Sequence, residues 1–304
     1  MFLFFFSRSH ESNKTYEQLL KGDSDSWQVH LRAASSILPN AHRAFRSDQA
    51  SGLSSTYKDA FRFFSAALTW YSLQACVTWG TLTPGDSEHV ELTSMYMPIS
   101  DFAGCATWVI QKLVDIMELA RWKDTMKSKK QLSMRELTSR ALQIETSLKS
   151  ELSMVSKKIE QSSLVDYFHN PSDYIQLLVT RIFGYSTLIY LYMIESGPCP
   201  DVPEIHANVS NTIEAFKSLP QAELVRSLSW PFCIAGSVAT GDQELAFLEI
   251  ATRAKINLCH FGSSRHALRI IQECWRMRKS EEAEDGNVDW RIAMRNLGLN
   301  ILLV

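Results

Sequence analysis

Glycine and proline are scarce, 12 and 9 in 304 residues. Folds made of many short strands spend both residue types on their turns, so the shortage argues against an all-β architecture and for helices. Closely spaced cysteines are missing too: the nearest two of the six, Cys259 and Cys274, stand 15 positions apart. That spacing excludes a zinc cluster whose paired thiolates bridge two ions. In a chain long enough to bury a core without staples, the six read as reduced thiols and not as a disulfide framework.

An excess of one charge is also absent. Lys and Arg number 31 against 33 Asp and Glu, a formal net of −2. Nothing therefore draws the whole chain onto polyphosphate, as a free-standing DNA-binding domain requires. The most apolar stretches, Ala66 to Leu82 and Phe183 to Ile194, are interrupted by polar residues or fall short of the roughly 20 apolar residues of a membrane span, so none is expected. The start, Met1 to Phe6, lacks a charged leading segment and is shorter than the roughly 7 to 15 apolar residues of a secretory signal. Export is not expected, and residues 1–14 are read as disordered or as a mis-assigned start.

What is there is an ordinary globular balance, 45% hydrophobic and 21% charged, with clear helix punctuation. Asp25-Ser26 precedes Trp27, His30, Leu31, Ala34 and Leu38, an amphipathic pattern that stops before Pro39. Residues 55 to 80 predict a long aromatic-rich helix, and Gly80 to Glu91 a loop. Ser100 or Asp101 is expected to cap a helix reaching about Lys123, followed by an exposed basic loop to residue 131. From Met134, apolar residues recur every three or four positions up to Ile159. Asn170-Pro171 opens a helix apolar on nearly every face, which should therefore be central. Pro198 and Pro200 end it, Pro203 and Pro220 should open the next two helices, and Pro231 should interrupt or bend the second. The fold class expected is all-α, a large irregular multi-helix domain over residues 15–304, with no repeat of fixed period.

No constellation for chemistry stands out. Cys259-His260 with His266 and Cys274 does not have the usual zinc spacing, and buried thiols with surface imidazoles explain it better. There is no aspartate-rich magnesium motif of the kind helical terpene synthases carry; the acidic run Glu281 to Asp285 leads into Gly286 and reads as a solvated loop. Phosphate-cradling loops and nucleophile elbows are lacking. The chain is thus read as non-enzymatic, with no catalytic residue, metal or cofactor, and a helical enzyme is the weakest alternative. Arg265, Arg269 and Arg276 recur at helical spacing and form either a solvated face or a small anion-seeking one. Trp230, Trp275 and Trp290 are core anchors or the lining of a ligand pocket.

Four ordered elements near the C-terminus carry a resemblance. They are Trp230-Pro231-Phe-Cys-Ile-Ala235-Gly236-Ser-Val-Ala239, then Glu273-Cys-Trp275-Arg276, then Asp289-Trp290-Arg-Ile-Ala-Met294, then the closing Leu302-Leu-Val304. This portion resembles the end of the second fungal-specific transcription factor domain family, the regulatory part of zinc-cluster transcription factors. Upstream, Trp27-Gln-Val-His30-Leu-Arg-Ala-Ala34 resembles the family's W-x-x-H-L-x-A-A helix, and Arg140-Ala141 with Ile144-Glu145 its R-A-x-x-I-E element. The resemblance implies an architectural role for Trp27, His30, Trp230, Pro231, Ala235, Gly236, Glu273, Trp275, Asp289, Trp290 and Met294. It also implies regulation of transcription in the nucleus, through partners in the transcription machinery or a second copy of the chain, and it leaves room for a small-molecule effector. The zinc cluster does not occur in these 304 residues, so neither zinc nor sequence-specific DNA binding is carried over.

Overall fold

The computed structural model describes residues 55–80, 103–162, 170–258, 263–280 and 288–304, together with positions 27–29, 31–33, 36 and 100. Among the described residues the architecture is helical, with no strand. Helix α1 spans Ser55–Trp79, α2 Thr107–Ser128, α3 Met134–Gln161, α4 Pro171–Ser196 and α5 Pro203–Lys217. A 3₁₀ turn at Ala222–Ser227 leads into α6, Ser229–Ser237, then α7, Asp242–Arg253. A second short turn precedes α8, Ser264–Lys279, and α9, Trp290–Asn296, comes before the closing tail. The residues around Trp27 are helical as expected, whereas His30, the loop after Gly80, Cys259-His260 and the acidic run after Ser280 lie outside the described residues.

The core is organised on α4. Its residues from Leu178 to Met193 are nearly all buried, against α2 and α3 on one side and α5 and α6 on the other. By length and composition alone α4 could cross a membrane, but 78% of its most apolar window is buried inside the fold, the pattern of a core helix. Helix α3 presents the stripe read from the sequence: Leu137, Ala141, Leu148, Leu152 and Val155 are buried while the opposite face is charged. Ser133 starts it by accepting a hydrogen bond from the Glu136 amide, an N-cap that satisfies one of the helix's free donors. At the α3–α4 crossing, a Cβ on Gly184 would lie 2.5 Å from Leu152 Cδ2, so the absent side chain leaves room for Leu152 to pack against the α4 backbone.

Several local expectations need correction. Helix α2 begins at Thr107, not at Ser100, because Gly104 takes φ +70° and the Ala106 amide is held at 2.9 Å by the Thr180 hydroxyl of α4. It also runs on to Ser128 through the segment expected to be a basic loop; lysine and methionine are good helix formers, and nothing stops the helix before Lys130 turns to φ 56°. Asn170 holds the N-cap position of α4, but its side chain accepts no bond from the helix; its amide donates to Asp173 at 2.6 Å. Finally, Pro220 opens no α-helix, and Pro231 neither interrupts nor bends one. It sits in the first turn of α6, where a missing N–H costs nothing.

Candidate functional site

The buried tryptophans meet α4 in one continuous run of rings. Trp70 of α1 packs edge-on against Phe183, with ring centroids 5.8 Å apart. Phe183 stacks on Trp230 at 6.0 Å with planes 13° apart. Trp230 in turn meets the Tyr190 ring edge-on at 6.0 Å, and Tyr190 meets Trp290 at 5.9 Å. Phe183 and Tyr190 are seven residues apart on α4 and share a face, so Trp230 lies across two of its turns. Offset and edge-on pairs of this kind stabilise beyond the area they bury.

Arg291 closes one end of the run. Its guanidinium lies 4.1 Å above the Trp290 ring, reaches the Val77 carbonyl at 3.3 Å and the Tyr190 hydroxyl at 3.5 Å, and pairs with Asp289 at 3.5 Å. The Trp290 indole donates to the Thr78 carbonyl at 3.0 Å, so α9 fastens the C-terminal end of α1. Burial pushes the Tyr190 phenol above its ordinary value, against the pull of Arg291, and it stays a neutral donor and acceptor.

The remaining motif residues divide between two joints. In the first, α6 meets α8: a Cβ on Gly236 would sit 2.5 Å from Ile271 Cδ1, and Ala235 beside it is fully buried. The Trp275 indole donates to the Gly236 carbonyl at 2.9 Å, while Arg278 donates to the carbonyls of Ser237 and, at 2.9 Å, Ala239. These bonds add side-chain donors to the carbonyls at the end of α6, and Arg278 brings cationic charge to its negative pole. In the second joint Asp289 caps α9 by accepting from the Ile292 amide at 2.9 Å, and Met294 is buried beneath it. Glu273 receives both arms of Arg276 at 2.8 Å and the Asn296 amide at 3.4 Å, bridging α8 to α9. At the other end of the sequence, the Trp27 indole donates to the Asn300 carbonyl at 3.0 Å.

The structure thus gathers Trp230, Pro231 and Trp290 around α4, buries Met294 on α9, and places Gly236, Glu273 and Trp275 on the joints of α8. Pro231 accepts a weak hydrogen bond from Ser186 at 3.4 Å. Sequence reasoning missed Tyr190, Arg291 and Arg278. The first two follow or face motif tryptophans, whereas nothing in the sequence sets Arg278 apart from the cations around it, and only the fold shows it turned onto α6. Arg265, Arg269 and Arg276 are exposed on α8 as their spacing implied. Burial pushes the Cys105 and Cys274 thiols up to about 12 and Cys233 well above its usual value, so these remain protonated and unreactive. Among the described residues, no three His, Cys, Asp or Glu side chains are placed to hold a metal ion.

Comparison with known proteins places the sequence. The chain is 28% identical over 252 residues to the ustiloxin B cluster transcription factor of Aspergillus flavus, an alignment covering 81% of this chain and 43% of the relative. It is 27% identical over 287 residues to a trichothecene biosynthesis transcription regulator of Trichoderma arundinaceum, covering 86% and 64%. A transcription factor of a Nectria species is 24% identical over 275 residues, covering 86% and 44%. The chain thus spans less than two thirds of the length of these relatives. No solved structure matches it. The profile of the fungal specific transcription factor domain matches residues 3–304, and the chain belongs to that family.

Proposed function

We propose that this chain is the regulatory domain of a zinc-cluster-type transcription factor and acts in the nucleus on genes of a biosynthetic cluster. The observation that carries the reading is the family match over residues 3–304, joined to relatives named as transcription factors or regulators of biosynthesis. The described interior adds a consistent chemistry: thiols held protonated by burial and motif residues engaged in helix joints, an arrangement suited to holding a shape and presenting surfaces. In this reading promoter recognition belongs to a zinc cluster outside these 304 residues, and the helical domain contacts protein partners of the transcription machinery or a second copy of itself. A small-molecule effector fits as a second reading, favoured by unpaired polar groups inside the core.

Tethering tests the proposal. The full chain is fused to an unrelated DNA-binding domain in yeast, and a reporter under the matching operator is measured against the DNA-binding domain alone. A several-fold rise or fall in reporter output is the expected result. An unchanged reporter, with the fusion shown to be expressed and nuclear, would overturn the regulatory assignment.

A further inference from the structure

Helices α2 and α3 form a hairpin whose tip lies outside the apolar interior. The last buried residue of α2 is Leu119 and the first of α3 is Leu137. Residues 121 to 140 hold seven Lys or Arg against two Asp or Glu, in a chain whose formal net is −2. Two of the seven are used within the fold. Lys123 donates to the Ile194 carbonyl at the end of α4, and Arg140 lies 4.5 Å over the Trp122 ring and pairs with Glu136 at 2.8 Å. The other five, Arg121, Lys127, Lys129, Lys130 and Arg135, are exposed and meet no acid at ion-pair distance among the described residues.

Two of these cations stand where helix physics disfavours them. Lys130 takes φ 56° just past α2, its amide bonding the Lys127 carbonyl at 3.0 Å while the Gln131 amide bonds that of Met126 at 2.8 Å. Helices end on this turn with glycine, which enters the left-handed region freely where lysine does not. Arg135 lies in the first turn of α3, beside the positive pole, where an acid is preferred and a cation repelled. A tip shaped for helix stability alone would carry glycine and an acid at these two places. Residues that break local rules without a compensating contact mark function.

Apolar side chains are set among the cations. Met134 is 58% exposed, and Met126 and Leu132 are partly exposed at the same turn. Methionine is an adaptable apolar surface, used where a binding face must fit more than one shape. We infer that the tip of the α2–α3 hairpin docks an acidic peptide segment that also carries apolar side chains. Its carboxylates meet Lys127, Lys129, Lys130 and Arg135, and its apolar side chains cover Met134, Met126 and Leu132. Nucleic acid would match the charge but not the methionines, since a phosphate backbone gives them nothing to bury against. The inference rests on the regulatory reading and names the chemistry of a protein partner for it.

Fluorescence anisotropy on the full chain tests the surface with three labelled probes. They are a peptide alternating glutamate with leucine and phenylalanine, the same peptide with serine at every apolar position, and a random DNA duplex. The first should bind saturably and about tenfold more tightly than either of the others, because only it adds apolar burial to charge. Lys130→Gly should weaken that binding severalfold while the melting temperature holds or rises, since the turn gains its preferred residue as the charge is lost. Arg135→Glu should weaken it as well with the fold intact, and either variant carries the test if the other fails to fold. Met134→Gln should narrow the gap between the two peptides. Equal affinity for the two peptides, a duplex bound as tightly as the first, or binding untouched by the charge variants would overturn the surface. So would a dimer of the chain that these variants dissociate, which would give the tip to a second copy. A chain that regulates the tethered reporter without binding the first peptide loses only this surface; one that binds it but leaves the reporter unchanged loses only the regulatory reading.

Discussion

Trp230 is the side chain on which most of the interior depends. It is 1% exposed and touches both Phe183 and Tyr190, two turns of the central helix. Replacement by alanine removes both ring contacts and leaves a void that the aromatic neighbours cannot collapse into. Trp230→Ala should therefore destabilise the fold by about 3 to 5 kcal/mol, read from urea unfolding. A parent-like midpoint would move Trp230 out of the core and onto a functional surface. Glu273 supports a different kind of prediction. Hydrogen bonds from Arg276, opposed by burial and helped by Asn296, hold its carboxyl below the ordinary value of 4.5. A carboxylate depressed in the folded state adds stability that is complete above about 4.5 and fades as pH falls through the lowered value. Glu273→Gln should lose that component, so the gap between parent and variant should close on acidification below that point. A gap that stays constant from pH 6 to pH 3 would show that the bridge between α8 and α9 does not titrate as described.

The joint of α6 and α8 depends on a missing side chain. A Cβ at Gly236 would meet Ile271 Cδ1 at 2.5 Å and Cγ1 at 2.9 Å, inside the distance at which something must shift. Gly236→Ala should cost about 1 to 3 kcal/mol, the usual range for overpacking, and Ile271→Val should recover part of it in the double variant. Additive losses in that double-mutant cycle would place the strain elsewhere. Much at this scale was legible in the sequence. The spacing of Leu137, Ala141, Leu148 and Leu152 set the buried face of α3, and the unbroken apolar run after Pro171 made α4 central. What could not be read was fixed by contacts distant in sequence. The start of α2 depends on the hydroxyl of Thr180, 74 residues away from the amide it holds. Arg278 looks like a surface cation until α6 is packed beside it.

At the scale of the whole molecule, the proposed division between regulation and promoter recognition can be tested through charge. A formal net of −2 gives no overall attraction to a phosphate backbone. The exposed arginines of α8 form a small patch, and Arg276 is already held by Glu273. Sequence-specific recognition needs side chains that reach base edges from a docked element, and in the proposed reading that element is a zinc cluster outside these 304 residues. The central claim is that this domain regulates without reading DNA itself. Fluorescence anisotropy of the purified chain on random and promoter-derived duplexes tests it most directly, at about 150 mM salt, where charge is screened beyond roughly 8 Å. The account predicts dissociation constants in the non-specific range of about 10⁻⁴ to 10⁻⁶ M or weaker, equal for both duplexes. Nanomolar binding to one promoter, with a preference on the order of a thousandfold over random DNA such as specific binders show, would contradict it.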